Sequence, residues 1–120
     1  MAAQVVLVVD DNPTNRILAR AMLTKMAWVA EEVDSGEAAL EKLRAGSAYQ
    51  LILLDISMPG MSGEEACVAM RAMPGGKDWR IIAYTAHAFP EERSRILASG
   101  FDDILIKPIN SQSLATVIGI

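Results

Sequence analysis

Hydrophobic residues are concentrated in five short runs, separated by segments in which apolar and polar residues recur at helical spacing. The runs lie at residues 4–9, 28–33, 51–54, 80–84 and 103–106. The first and third are continuously apolar, which is typical of strands buried on both faces. Because each connection is long enough for a crossover, the pattern predicts a parallel sheet with helices on both faces, a three-layer α/β sandwich formed by a single domain over residues 1–120.

The predicted helices begin at residues that suit helix N-termini. Asn12 suits the N-cap of the first helix, with Pro13 in its first turn. The apolar residues that recur at helical spacing in this helix are Ile17, Leu18, Ala21 and Met22. The other helices are predicted at residues 35–45, 62–73, 90–99 and 111–118, and a capping box of Ser62 and Glu65 opens the helix at 62–73.

Composition excludes several classes of protein. The chain has 120 residues, 52% of them hydrophobic and 22% charged, as in soluble globular domains. Cys67 is the only cysteine, so neither a disulfide nor a zinc cluster is expected. The formal net charge is −4 and the 11 basic residues are scattered, which argues against direct nucleic-acid binding. With no apolar run of membrane-spanning length, we expect a cytoplasmic segment without membrane contact.

Candidate chemistry lies where the predicted strands end. Asp10 and Asp11 follow the first strand, Asp55 the third, Thr85 the fourth and Lys107 the fifth. Ligands of open parallel sheets bind beyond the carboxyl ends of the strands, so we expect these side chains to converge there. Each alone suits a turn or surface role, but three converging carboxylates repel one another and favour a hard cation such as Mg²⁺.

This set of residues suits phosphoryl transfer to a carboxylate. An aspartate is already ionised at neutral pH and needs no general base to act as a nucleophile. The charge of the transferring group would be neutralised by the cation on one side and by Lys107 on the other, with the Thr85 hydroxyl facing the same anion. Asp55 is the predicted nucleophile, because its central strand lies between the acidic pair and the Thr85 and Lys107 side.

Four motifs resemble the receiver domain of two-component response regulators. They are VLVVDDNPTNR (6–16), LILLDISMPGMSG (51–63), IIAYTAHA (81–88) and GFDDILIKPI (100–109), and together they span nearly the whole chain. The resemblance implies a flavodoxin-like (βα)₅ fold with strand order 2-1-3-4-5. It also implies that the domain is not a stand-alone enzyme but catalyses its own aspartyl phosphorylation and dephosphorylation.

The resemblance further implies roles for individual residues. Mg²⁺ would be held by Asp11, Asp55 and the backbone carbonyl of Ser57, and by Asp10 mainly through water. Lys107 would bind the phosphoryl oxygens, Thr85 would shift toward the phosphoryl group, and the Lys107-Pro108 bond would be cis. Ser57 and His87 occupy positions that in the family tune how fast the aspartyl phosphate hydrolyses.

One position departs from the family. Tyr or Phe often stands three residues before the lysine, where this chain has Ile104, so we do not expect output through an aromatic flip. DDNPTNR followed by TAHA is similar to receivers attached to hybrid sensor histidine kinases, which implies a histidine kinase or a histidine phosphotransfer domain as partner. Docking would use the first helix, around Pro13, Arg16 and Ile17.

Three other interpretations are less consistent with the residues. A phosphohydrolase of the haloacid dehalogenase type carries its Asp-x-Asp nucleophile motif on the first strand, whereas here Asp55 lies on the third and is followed two residues later by Ser57. In a flavodoxin-like FMN site, Asp10 and Asp11 would repel the phosphate of the FMN unless a metal intervened. A receiver that no longer accepts phosphate would lack part of the site, whereas this chain has all five residues, Asp10, Asp11, Asp55, Thr85 and Lys107.

Overall fold

The sheet has the strand order β2-β1-β3-β4-β5, with every neighbouring pair parallel. The computed structural model describes residues 4–46, 48–86 and 89–118. Within them the strands are β1 (Val5–Val9), β2 (Val29–Val33), β3 (Leu51–Asp55), β4 (Ile81–Thr85) and β5 (Asp103–Ile106). The helices are α1 (Pro13–Lys25), α2 (Gly36–Arg44), α3 (Gly63–Arg71), α4 (Pro90–Ala98) and α5 (Ser111–Ile118). The predicted fold class and strand order are confirmed.

Apolar side chains pack on both faces of the sheet. Leu7 of β1 and Ile52 of β3 lie in one buried cluster with residues of α2, α3 and α4. Their neighbours Val8 and Leu53 lie in another, with residues of α1 and α5. Successive strand residues point to opposite faces, so continuous apolar runs are required where helices cover both. The result is the predicted three-layer sandwich.

The register of the sheet aligns the strand ends. Val9 of β1 pairs with Leu54 of β3, and Asp55 pairs with Tyr84 of β4. Thr85 in turn pairs with Ile106, the last residue of β5. The residues that follow β1 and β5 therefore reach the same edge of the sheet as Asp55 and Thr85.

Helix N-termini are capped as the sequence predicts. The Asn12 side chain accepts hydrogen bonds from the backbone N–H groups of Thr14, at 2.9 Å, and Asn15, at 3.3 Å. Ser62 and Glu65 form a reciprocal capping box with bonds of 3.2 and 3.1 Å. The predicted strands and helices all appear, with ends that differ by one or two residues. A short 3₁₀ turn at Gly76–Asp78 was not predicted.

Of the four apolar residues that recur at helical spacing in α1, only Met22 packs against the core. The helix buries Ala19 and Leu23, which are one turn apart, whereas Ile17 and Leu18 are exposed. The helix thus turns Leu23 and a small residue, Ala19, toward the sheet and leaves two larger apolar side chains in solvent. Arg16 of the same helix donates a hydrogen bond to the Asp10 carbonyl. Within residues 4–46, 48–86 and 89–118, none of the helices combines the length and the apolar composition of a membrane span.

Candidate functional site

Three carboxylates meet at the carboxyl edge of the sheet. Among the described residues, Asp10, Asp11 and Asp55 each offer an oxygen, and these atoms all lie within 4.8 Å of one another. Asp10 and Asp55 are buried and Asp11 is exposed. Asp55 keeps only 4% of its side-chain surface accessible. The cluster is therefore open to solvent mainly through Asp11.

Lys107 inserts its ammonium group into this cluster from the end of β5. Its Nζ lies 3.0 Å from Oδ1 of Asp55 and 3.2 Å from Oδ2 of Asp10. It also lies 4.5 Å from the centre of the Tyr84 ring, which provides a cation-π contact. The Lys107-Pro108 peptide bond is cis, as the resemblance implied. The spacing along the sequence did not indicate the contact with Tyr84.

Thr85 lies beside the cluster at the end of β4. It is buried, and its carbonyl accepts a hydrogen bond of 2.8 Å from the backbone N–H of Lys107. Ser57 is exposed in the loop between β3 and α3. His87 lies outside the described residues. Asp10, Asp11, Asp55, Thr85 and Lys107 are thus brought to one edge, as predicted.

Burial changes the titration of two groups at the site. Desolvation is the main cause that raises the pKa of Asp55 to about 6; a hydrogen bond from Lys107 opposes it and the charge of Asp10 adds to it. Desolvation likewise raises the pKa of the Tyr84 hydroxyl to about 12, with the nearby Asp10 and Asp55 carboxylates adding to it. Tyr84 is therefore neutral at physiological pH, and the Asp55 carboxylate takes up a proton at a less acidic pH than an exposed aspartate would.

The donor set suits a hard divalent cation. It consists of carboxylate oxygens, the ligands that Mg²⁺ and Ca²⁺ prefer. Among the described residues, no group donates a hydrogen bond to the buried Oδ2 of Asp10, although Lys107 lies within ion-pair range of it. A buried acceptor without a donor is costly unless something occupies it. The residues therefore fit a metal ion.

Backbone and side-chain contacts fix the acidic residues from outside the cluster. Oδ1 of Asp10 accepts a 2.9 Å hydrogen bond from the backbone N–H of Asn12. The backbone carbonyl of Asp10 accepts a 2.7 Å hydrogen bond from the Arg16 guanidinium. On the other side, Gly63 of α3 packs against the backbone of Asp55; a Cβ at position 63 would overlap the Asp55 carbonyl oxygen. Sequence reasoning missed both Arg16 and Gly63 as supports of the site.

Ile104, where the chain departs from the family pattern, points away from the solvent. It is buried in the same apolar cluster as Ile96 of α4 and Phe101. Cys67 is buried in that cluster too, as expected for a core residue, and burial raises its pKa to about 11. Neither side chain belongs to the acidic cluster.

Comparisons with known proteins agree on one family. Residues 6–119 match the family model described as response regulator receiver domain. Sensor protein GacS of Pseudomonas syringae pv. syringae is 40% identical over 116 residues, which cover 94% of this chain and 13% of that protein. The chain thus spans a small part of the curated relative that it matches.

Solved structures give the same result. Chemotaxis protein CheY4 of Vibrio cholerae superposes with a TM-score of 0.92 at 29% identity, and 98% of each chain is covered. The receiver domain of sensor histidine kinase PA1611 from Pseudomonas aeruginosa PAO1 has a TM-score of 0.87 and 32% identity, with 99% of this chain and all of that one covered. That structure has a magnesium ion coordinated in its active site cleft.

Proposed function

Because the chain belongs to the response regulator receiver domain family of two-component signalling, we propose that Asp55 accepts a phosphoryl group from a phosphohistidine on a partner protein. One observation carries this assignment. A single carboxylate on the central strand β3 lies among two further carboxylates within 4.8 Å and one ammonium group at 3.0 Å. A transferring phosphoryl group needs positive charge around an oxygen nucleophile, and this is where the chain provides it.

The metal proposed for the site is Mg²⁺. Asp11, Asp55 and the Ser57 backbone carbonyl are the proposed direct ligands, with Asp10 acting mainly through water. Mg²⁺ is typically held by one or two carboxylates together with phosphate oxygens and water, which suits a cluster with one exposed member. When bound, the ion supplies positive charge to the oxygens of the phosphoryl group.

In the proposed transfer, one oxygen of Asp55 attacks the phosphorus atom. The new O–P bond forms as the P–N bond to the donor imidazole breaks, and the departing nitrogen keeps the electron pair and takes a proton from solvent. Lys107 binds the phosphoryl oxygens, which its position beside Asp55 allows without a large movement. Thr85 is buried next to Lys107, and its hydroxyl donates a hydrogen bond to the same phosphoryl group.

Loss of the phosphoryl group from Asp55 ends the signal, by either of two reactions. Attack by water on the phosphorus breaks the O–P bond, releases inorganic phosphate and restores the Asp55 carboxylate. Attack by an imidazole nitrogen of a histidine phosphotransfer domain instead passes the phosphoryl group onward. The similarity to a much longer sensor protein, of which the match covers 13%, supports this second route, in which the chain works as one module of a hybrid histidine kinase.

The test uses a small phosphoryl donor and Asp55→Asn. Incubation with acetyl phosphate and Mg²⁺ is expected to add one phosphoryl group to the wild-type chain, as measured by intact mass, and none to Asp55→Asn. Asp34→Asn is the matched control, because Asp34 is an exposed acid outside the cluster. Labelling that survives in Asp55→Asn, or that needs no divalent cation, would reject the assignment.

A further inference from the structure

Arg16 of α1 folds back over the start of its own helix to reach the end of β1. Its NH1 donates to the Asp10 carbonyl at 2.7 Å, and its Nε donates to Oε1 of Glu32 on β2 at 3.1 Å. The other oxygen of Glu32 accepts from Arg20 at 3.1 Å. Only 18% of the Arg16 side-chain surface is exposed. Arg16 therefore links α1 to both β1 and β2 within the fold.

The bond to Arg16 constrains the acidic pair through the backbone. The Asp10 carbonyl shares a rigid peptide plane with the N–H and Cα of Asp11. The Asp10 N–H is already fixed by the Val33 carbonyl at 3.2 Å, and its side chain by the N–H of Asn12. The hydrogen bond from Arg16 fixes the peptide unit between Asp10 and Asp11, and the exposed Asp11 side chain extends from the Cα of that unit.

We propose that Arg16, anchored by Glu32, is a positioning residue that sets the affinity of the acidic cluster for a divalent cation. The inference rests on the proposed metal-dependent function of the same site. Glu32 lies on the edge strand β2, which contributes no ligand to the acidic cluster. The proposal therefore gives β2 an indirect role in metal binding, through Arg16. Contacts behind metal ligands commonly change metal affinity by roughly tenfold to a hundredfold, because they orient the ligand groups.

The sign of the effect separates positioning from simple electrostatics. Arg16 carries a positive charge that reaches the backbone of Asp10, one member of the acidic cluster that attracts a cation. If only this charge mattered, removing it would tighten Mg²⁺ binding. If Arg16 orients Asp11, removing it weakens Mg²⁺ binding in spite of the more negative surroundings. The two explanations therefore predict opposite changes in the dissociation constant.

The experiment is calorimetric titration of the metal-free chain with MgCl₂. We expect Arg16→Gln to raise the dissociation constant roughly tenfold, and Glu32→Gln to raise it by less. Arg16→Lys keeps the charge, but its single ammonium group cannot span both Glu32 and the Asp10 carbonyl, so it should also bind more weakly. Lys42→Gln is the matched control, because Lys42 forms an ion pair with Glu31 of the same strand without contacting Asp10.

Each outcome decides the proposal. Unchanged or tighter binding in Arg16→Gln, or wild-type affinity in Arg16→Lys, would overturn it; an equal loss in Lys42→Gln would do the same. If circular dichroism shows that Arg16→Gln does not fold, Arg16→Lys carries the test, because it keeps the positive charge and removes only the bridging geometry. Calorimetry needs no phosphoryl donor, so a failure here with normal acetyl phosphate labelling of the wild type leaves the proposed function intact. Absent labelling of Asp55 rejects the proposed function instead.

Discussion

The ammonium group of Lys107 lies 3.0 Å from Oδ1 of Asp55, and this contact joins the end of β5 to the end of β3 across the intervening strand β4. The Tyr84 ring of β4 lies beneath the ammonium group at 4.5 Å. The contact places a fixed cation where a second, diffusible cation is proposed to bind. Under the proposed function, Lys107 would therefore compete with the metal for the carboxylates and share the task of neutralising a phosphoryl group.

Substituting Lys107 should separate these two roles. In Lys107→Gln we expect Mg²⁺ to bind several times more tightly, because a cation is removed from among the carboxylates. Phosphorylation by acetyl phosphate should nevertheless slow by at least about tenfold, because charge stabilisation of the phosphoryl group is lost. Calorimetry measures the affinity for Mg²⁺, and intact mass against time measures the rate of phosphorylation.

Lys77→Gln is the control, because Lys77 is an exposed lysine distant in sequence from the cluster. Labelling at the wild-type rate in Lys107→Gln would contradict the role assigned to Lys107.

Asp55→Asn should stabilise the metal-free fold at neutral pH. The folded state raises the pKa of Asp55 from 3.8 to about 6, mainly by desolvation. Stability contributed by the protonated group is present below the unfolded pKa and is lost as the pH rises through about 6. Removing the ionisable group therefore adds up to about 3 kcal/mol to the free energy of unfolding at pH 8, and progressively less toward pH 4.

Urea denaturation in the presence of EDTA measures this difference at both pH values. Asp34→Asn should change the free energy of unfolding little at either, because Asp34 is exposed. An Asp55→Asn variant less stable than the wild type at pH 8 would show that the contact with Lys107 outweighs the desolvation of the carboxylate.

The five strands and the edge at which the site lies followed from short-range patterns, whereas the strand order followed only from the resemblance to the receiver family. The apolar runs stop at Asp55 and Thr85 because a side chain at the sheet edge leaves the helix-covered core, so the polarity of the sequence changes there. The structure moves this boundary by one residue and includes both in their strands. Asn12, Ser62 and Glu65 were predictable as caps because capping depends on neighbours within three residues.

Contacts between distant segments were not predictable from such patterns. Arg71 of α3 donates hydrogen bonds to the carbonyls of Gly76 and Gly100 and forms a 2.9 Å ion pair with Asp102. These partners lie up to 31 residues away, and an arginine on a helix surface carries no local signal of them. The contact between Arg16 and the Asp10 carbonyl was likewise not predicted, because the spacing of apolar residues on α1 carries no information about it.

Gly63 should tolerate no side chain. A Cβ there would overlap the Asp55 carbonyl oxygen and lie 2.8 Å from the Ile56 Cα, so α3 or the end of β3 would have to move. We expect Gly63→Ala to lose roughly 3 kcal/mol in the free energy of unfolding by urea. Where the variant remains folded, labelling by acetyl phosphate should fall, because the backbone of the acceptor residue shifts.

Gly46→Ala provides the comparison for this prediction. Gly46 has a φ of 92°, and a Cβ added to it would meet no atom within 4 Å, so the substitution adds backbone strain without a clash. It should cost about 1 kcal/mol and leave labelling unchanged. Equal losses of labelling in the two variants would show that the effect of Gly63→Ala comes from reduced stability and not from displacement of Asp55.

Ile17 should contribute to transfer from a protein donor but not from a small one. Its side chain is 66% exposed on α1, which begins two residues after Asp11 and borders the acidic cluster. Exposed large apolar side chains beside a reactive site are typical of docking surfaces. We expect Ile17→Ser to slow phosphoryl transfer from a phosphorylated histidine phosphotransfer domain by roughly tenfold, whereas labelling by acetyl phosphate should stay at the wild-type rate.

Val68→Ser is the control for this prediction. It removes an apolar side chain of similar exposure, 57%, from α3 and should change neither rate. If Ile17→Ser slowed both reactions equally, α1 would act on Asp55 itself, and the face of the domain that receives the partner would have to lie elsewhere.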